Sequence, residues 1–249
     1  MAFEKTYNPQ VIILDKLKAK VYERWLTNPL KLVGDCFFTN DERYAGAGFS
    51  PIRPYPVGEV AIQYIWWKSF LEKTLHVDKF RQGTATWLLA VARNLVTVLL
   101  HEGTKCYILK RKFKEADDIL QQRVMFVYNN IPEKKRILID GVEEIIYPKE
   151  MLPRCIYREG EVRVERRSAS GKILPASYIF SLEAGIDQAR GVTGSNGVID
   201  EAAYTSDLIR VYMSMRPAME HIQLISSPKR GQFVDMRYGL ESAIGLKSI

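Results

Sequence analysis

Apolar residues recur at helical spacing near the start of the chain and in short, dense runs further along. In NPQVIILDKLKAKVYERWLTNP, Asn8 stands as an N-cap and Pro9 as the first helical residue. Leu14, Leu17, Val21 and Trp25 then share one face, which predicts an amphipathic helix packed on the main body. AGAGFSPIRPYPVG (45–58) is rich in Gly and Pro and predicts a linker or exposed arm. EVAIQYIWWKSFLEKTL has helical character, with Trp66 and Trp67 expected in the core. TLHVDKFRQGTATWLLAVA has the layout strand, loop, helix. The apolar run over 86–100 is interrupted by Arg93 and Asn94, as suits a buried helix and not a membrane span. KCYILK reads as a short strand and 114–129 as a further helix.

The second half is richer in strands. RILIDGVEEIIY sets Asp140-Gly141 between two β-prone runs, the strongest short signal for a hairpin. EVRVERRSASGKILPASYIFSL predicts a second hairpin turning at 169–172. GVID, TSDLIRVYMSMRPAM and HIQLISS then alternate strand, helix, strand. Strands joined by crossover helices imply a mainly parallel sheet covered on both faces. One α/β domain with a β-hairpin insertion fits 249 residues.

Composition narrows this picture modestly. With 47% hydrophobic and 26% charged residues and no low-complexity tract, the chain can bury a sizeable core. Cys36, Cys106, Cys155 and His76, His101, His221 are scattered without metal-like spacing, which argues against a zinc site or a disulfide framework. MAFEKTYNPQ lacks the apolar centre of a signal peptide, so a cytosolic protein is expected. The net charge of +7 is compatible with a polyanionic partner, but the basic residues are spread along the chain.

Two stretches carry candidate chemistry. DKFRQGTATW (78–87) has the outline of a phosphate-gripping loop, yet Thr84 and Ala85 stand where the regular pattern has Gly and Lys. Gly83 permits an unusual backbone angle, the amides after it lie at a helix N-terminus, and Thr86 occupies the metal-binding hydroxyl's place. Lys79, at the start of the loop, is long enough to reach back over the phosphates, as is Arg81. NGVIDEAAY ends an apolar strand in Asp200 and Glu201. At the carboxyl end of a parallel strand, such a pair suits a metal-holding acid followed by a water-activating one. Acids stabilising a helix N-terminus are the plainer alternative.

The run K-x-R-Q, with small residues and Thr after it, resembles the variant Walker A loop of bacteriophage terminase large subunits, the motors that pump viral DNA into capsids. Lys79, Arg81, Gln82 and Thr86 match that loop, and Thr84 departs from the family's second glycine. Gln63 in VAIQYIWW resembles the glutamine that recognises adenine. QARG, with Arg190 and Gly191 before the acid-bearing strand, is similar to the segment supplying an arginine finger. LISSPKRG, with Ser226, Ser227, Pro228 and Gly231, resembles the coupling motif. The match runs from about Gln63 to Gly231.

The resemblance implies an α/β fold: a P-loop NTPase of the ASCE type, its mainly parallel central sheet flanked by helices and carrying the β-hairpin insertion. Residues 1–58 would form an N-terminal helix and lid packing on a 59–249 ATPase core. ATP and Mg²⁺ are the implied cofactors. Gln63 would hold adenine, and Lys79, Arg81, Gln82, Gly83, Thr84, Ala85 and Thr86 the phosphates. Thr86 and Asp200 would bind the metal, Glu201 would activate water, and Ser226 and Ser227 would sense the γ-phosphate. The finger is either Arg81 in cis or Arg190 in trans. The implied partners are double-stranded DNA, a portal protein, a small terminase subunit and further copies in a pentameric ring, in the host cytoplasm and transiently at the procapsid portal. EKKR (133–136) and RVERR (163–167) are candidate DNA contacts or simply solvated hairpin charges. The family's C-terminal nuclease would need more chain than follows Gly231, so no DNA cleavage is expected. Two other readings stay open: a helicase-like DNA-dependent ATPase, which would need further motor motifs, and a hydrolysis-dead nucleotide- or DNA-binding scaffold, favoured by Thr84 and Ala85 but opposed by Lys79 and the acid pair.

Overall fold

The computed structural model describes residues 9–40, 50–79, 84–168, 170–227, 233–234, 236 and 247–248. Helices α1 (Pro9–Thr27) and α2 (Pro29–Cys36) come first, and Pro29 starts the second because its missing N–H is not needed there. Strands β1 (Phe38–Asn40) and β2 (Ile52–Pro54) form an antiparallel pair before α3 (Val60–Leu71). Strand β3 (Thr74–Asp78) leads through the candidate phosphate loop into α4, which winds in wide π turns over Thr86–Arg93 and in α geometry over Asn94–Leu100. Strand β4 (Lys105–Lys110) precedes α5, continuous over Phe113–Ile119, Leu120–Val124 and Met125–Asn129. The hairpin β5 (Lys135–Ile139) and β6 (Val142–Ile146) is a separate two-stranded sheet, turned by Asp140 and Gly141 at positive φ. A short helix α6 (Pro148–Met151) and strands β7 (Arg154–Arg158), β8 (Glu161–Glu165) and β9 (Ser177–Glu183) follow. Helix α7 (Ile186–Arg190), β10 (Gly194–Asp200), α8 (Leu208–Met215), β11 (Met219–Ser226) and β12 (Lys247–Ser248) complete the described elements.

The central sheet runs β12-β3-β11-β10-β4-β9-β8-β7. Neighbours from β12 to β9 are parallel, and β8 and β7 extend the sheet antiparallel. The sheet is thus mixed and mainly parallel, with helices on both faces, as in the α/β class. Successive strand residues point to opposite faces, and the two faces have separate cores. Leu75, Val77, Cys106, Ile108, Val198 and Ile225 pack under α1 to α5, together with the buried Val21, Trp25 and Trp66. Tyr107, Leu109, Ile199, Ile222 and Leu224 pack against α8 and the α7 region through Leu208, Tyr212, Met215 and Ala189. Each fully buried aliphatic or aromatic side chain contributes roughly 1.5–3 kcal/mol relative to exposure.

Several expectations change at this level. The described part of the Gly/Pro-rich stretch, 50–58, is not an exposed arm: β2 pairs with β1, and the buried Tyr55 donates its hydroxyl to the Trp87 carbonyl at 2.9 Å. Residues 45–49 and the N-cap Asn8 lie outside the described residues. Trp66 is buried but Trp67 is exposed, because adjacent helical positions point about 100° apart. The second hairpin joins β8 to β9 as expected, but β8 also pairs with β7 across a tight turn at Glu159-Gly160. The helix read over 205–219 shrinks to Leu208–Met215. Gly197 interrupts the apolar run of β10 at the point where the flexible end of Met215 packs: a Cβ there would lie 2.6 Å from Met215 Cε and displace it.

Candidate functional site

Register alone gathers the candidate residues at one edge. Asp78 pairs with Ser226, Ile225 with Asp200, and Ile199 with Leu109, so four parallel strands end together. The Lys79 amide donates to the Ser226 carbonyl at 2.9 Å, extending the ladder one residue into the loop and fixing where its first side chain starts. At the far end of the loop, Leu88 N donates to the Thr84 carbonyl at 2.8 Å, and Ala85 has helical dihedrals. Ala85 and Thr86 are thereby buried beside β10. Both ends of the loop thus converge on Asp200.

The convergence is tight. Lys79 Nζ donates to Thr86 Oγ1 at 2.6 Å and to Asp200 Oδ1 at 2.7 Å. The Thr86 hydroxyl itself donates to Asp200 Oδ1 at 3.0 Å. Asp200 has a side chain only 3% exposed, and a carboxylate so placed requires cations close by. Lys110, the last residue of β4, supplies a second one, 3.8 Å from Asp200 Oδ2 and 3.3 Å from Glu201 Oε1. Glu201 adopts a left-handed backbone, φ +57°, which turns the chain from β10 into the 3₁₀ turn Ala202–Tyr204 and sets its half-exposed carboxylate at the rim. Ser226 ties the two sides together: its carbonyl receives the Lys79 amide, and its hydroxyl accepts the Ala203 amide at 3.1 Å.

The structure therefore brings together Lys79, Thr86, Asp200, Glu201 and Ser226, with Thr84, Ala85 and Ser227 flanking them. Gln63 is not part of this cluster; it is exposed on α3 and donates its side-chain amide to the Val57 carbonyl at 2.9 Å. Arg190 is also outside it, exposed on α7 and paired with Asp187 at 3.3 Å. Arg81, Gln82, Gly83, Pro228 and Gly231 lie outside the described residues. Sequence reading missed Lys110. Its signal was a charge closing an otherwise apolar strand, KCYILK, which pairs directly with the acid-bearing strand. Of the hairpin charges, Arg136 pairs with Glu143 at 3.9 Å and Arg163 with Glu165 at 3.4 Å. Arg166 turns inward to Ser177 Oγ at 3.0 Å and to the Val98 carbonyl, and so serves the fold.

The oxygens fit a hard cation. Thr86 Oγ1 and Asp200 Oδ1 already share one cationic partner, the Lys79 ammonium, and an oxygen pair of this kind suits Mg²⁺ in nucleotide sites, where phosphates and waters complete the shell. Among the described residues no group of three or more His, Cys, Asp or Glu could hold a metal by itself. The cysteines are buried free thiols, Cys106 pushed up to about 12 by burial, and at neutral pH they stay protonated and unreactive. No helix among the described residues is long and apolar enough to cross a membrane.

No family model and no curated protein matches the sequence. Solved structures do match the fold. A point variant of the large terminase ATPase domain of Thermus phage P74-26 aligns over 85% of both chains, with a TM-score of 0.52 at 17% identity. The same domain without the substitution gives 0.50 at 17% identity, again over 85% of both. The chain has the fold of a phage large terminase ATPase domain. Large terminase from another thermophilic bacteriophage, in complex with ADP, aligns with a TM-score of 0.47 at 10% identity, over 74% of this chain and 42% of that one. In this terminase-type fold the Lys79–Thr86–Asp200 cluster occupies the carboxyl edge of the parallel strands, where open α/β sheets bind their ligands.

Proposed function

We propose that this chain is the ATPase motor domain of a phage terminase large subunit, hydrolysing Mg²⁺·ATP to drive double-stranded DNA into a procapsid. The observation that carries the proposal is the convergence of Thr86 Oγ1 and Asp200 Oδ1 on one displaceable cation at the carboxyl edge of a terminase-type sheet. Thr86 and Asp200 would hold Mg²⁺, which when bound neutralises charge on the phosphates. Catalysis of phosphoryl transfer rests on positioning and charge neutralisation, and each part has a candidate here. The Lys79 ammonium exchanges Asp200 for phosphate oxygens as nucleotide enters, supplying the cation that Ala85 cannot. The amides leading into α4 face the phosphates. Glu201, at the rim and half exposed, accepts the proton of the attacking water. Gln63 reads adenine once it leaves the Val57 carbonyl. Arg81 in cis or Arg190 in trans stabilises the transition state, and the surface position of Arg190 suits service to a neighbouring subunit in a ring.

Ser226 touches both the loop and the turn after Glu201, so loss of the γ-phosphate felt at either is passed to the other. Portal protein, small terminase subunit and a homo-oligomeric ring in the host cytoplasm belong to the same proposal. The test is steady-state ATP hydrolysis by the wild type against Glu201→Gln. Loss of the general base should slow turnover about 10²–10⁴-fold while leaving nucleotide binding intact. Background-level hydrolysis by both proteins would instead mark a hydrolysis-dead scaffold. Replacing Ser226 and Ser227 together with Ala should keep ATP binding and abolish DNA movement in a packaging assay; unchanged packaging would remove the relay.

A further inference from the structure

Lys110 belongs to none of the roles above, yet it is the ion-pair partner of Glu201 among the described residues. We infer that Lys110 is a positioning residue that holds the Glu201 carboxylate in its working place at the rim of the site, a role that rests on the ATPase reading. Three features carry this. The Lys110 backbone is fixed in the interior of the sheet: it closes β4 next to β10, and its carbonyl accepts the Ala184 amide at 2.7 Å, so only the side chain is free to move. That side chain is mostly buried, 14% exposed, and its ammonium lies nearer to Glu201 Oε1 (3.3 Å) than to Asp200 Oδ2 (3.8 Å). The other ammonium, that of Lys79, is committed to Thr86 and to the opposite oxygen of Asp200.

Glu201 needs such an anchor. Its left-handed backbone is uncommon for a residue with a side chain, and a half-exposed carboxylate on a turn otherwise samples many rotamers. A cation rooted in the neighbouring strand limits that sampling. Because Lys110 is set by strand pairing and not by the phosphate loop, the restraint persists when Lys79 moves to the nucleotide. Lys110 touches neither nucleotide nor water in this role; it acts through Glu201.

The experiment compares wild type with Lys110→Gln, Lys110→Arg, Glu201→Gln and the double variant Lys110→Gln/Glu201→Gln, measuring kcat, KM for ATP, affinity for a fluorescent ATP analogue and melting temperature. Lys110→Gln should lower kcat roughly 10–100-fold, the usual consequence of removing an orienting group. KM and analogue affinity should stay within about threefold. Lys110→Arg keeps a cation of similar reach and should recover most of the loss. The double variant should be no slower than Glu201→Gln alone, because residues acting as a unit are not additive. The inference is overturned if Lys110→Gln keeps wild-type kcat while Glu201→Gln is inactive, or if its loss of kcat is matched by equal losses of analogue affinity and melting temperature. Wild-type turnover by Glu201→Gln would remove the general-base role and the inference with it, whereas no ATP turnover by the wild type would overturn the ATPase reading itself, a separate and distinguishable result.

Discussion

The sheet has a polar cluster at each edge, and the two treat a buried cation differently. At the carboxyl edge, Lys79 sits between a carboxylate and a hydroxyl, with Lys110 behind it. Toward the amino edge, Arg93 is 1% exposed and is held by neutral oxygens, giving Nε to Ser69 Oγ at 2.9 Å and Nη2 to the Ser69 carbonyl at 2.7 Å. Its guanidinium lies 4.4 Å from the centre of the Phe70 ring and is pushed down to about 10 by burial. It borders a cavity of about 340 Å³ shared with Thr97, His101, Glu220 and His221. An arginine forked over one residue's hydroxyl and carbonyl cannot leave without giving up both hydrogen bonds at once. A lysine between two oxygens can be replaced by any ion that those oxygens also accept. One cluster locks α3 to α4; the other, under the proposed function, yields its lysine to a ligand.

Exchange and lock can be separated by mutation, beginning with the largest effect. Lys79→Met removes the ammonium between Thr86 and Asp200 and should cost about 10²–10³-fold in ATP turnover, the usual range for a lost charge-stabilising donor, with a smaller loss of stability than Arg93→Ala because Lys110 still faces Asp200. Arg93→Ala should do the reverse, lowering unfolding free energy by about 3 kcal/mol in urea titrations through lost packing and the two lost hydrogen bonds to Ser69, while protein that remains folded keeps its nucleotide affinity. Arg93→Lys should recover only part, since a single ammonium cannot reproduce the fork. A stability loss in Lys79→Met larger than that in Arg93→Ala would erase the distinction. Asn196→Ala sits between the edges, on β10, where its side-chain amide meets Asn94 of α4. It should cost about 1–2 kcal/mol by leaving a buried partner unsatisfied, with turnover intact.

How much of this the sequence disclosed depends on the scale of the signal. Strand-helix alternation in the last third and the Asp140-Gly141 turn are local patterns, and both appear in the structure. The acid pair was legible because it ends an apolar strand. Lys110 was not, because its relevance comes from β4 lying beside β10, a pairing between segments far apart in sequence. Tyr55 was hidden for the same reason: Gly and Pro signal the turns around it but not the Trp87 carbonyl that receives its hydroxyl. Arg93 and Asn94 looked only like interruptions in an apolar helix. Their partners, Ser69 and Asn196, show that the interruptions fasten that helix to α3 and to β10.

The smallest effect concerns pH and belongs to the amino edge alone. His221 is held below its ordinary 6.5 chiefly by burial, with Arg93 and Lys73 lowering it further, and Glu220 and the hydrogen bond to the Glu72 carbonyl opposing them. His101 is lowered by burial and by Arg166. A histidine whose folded pKa lies below the unfolded value binds its proton more readily in the unfolded chain. These two residues therefore leave stability undiminished above about pH 6.5 and reduce it as pH falls below that value, until the folded forms also protonate. Urea titrations from pH 8 to pH 5 should show this decline in the wild type and a shallower one in His221→Gln, with His101 responsible for part of the remainder. Lys79→Met should keep the wild-type slope, because neither histidine is among the partners of Lys79. An unchanged slope in His221→Gln would mean that the amino-edge cavity already admits enough water to solvate the imidazolium, and the lock there would then be Arg93 on its own.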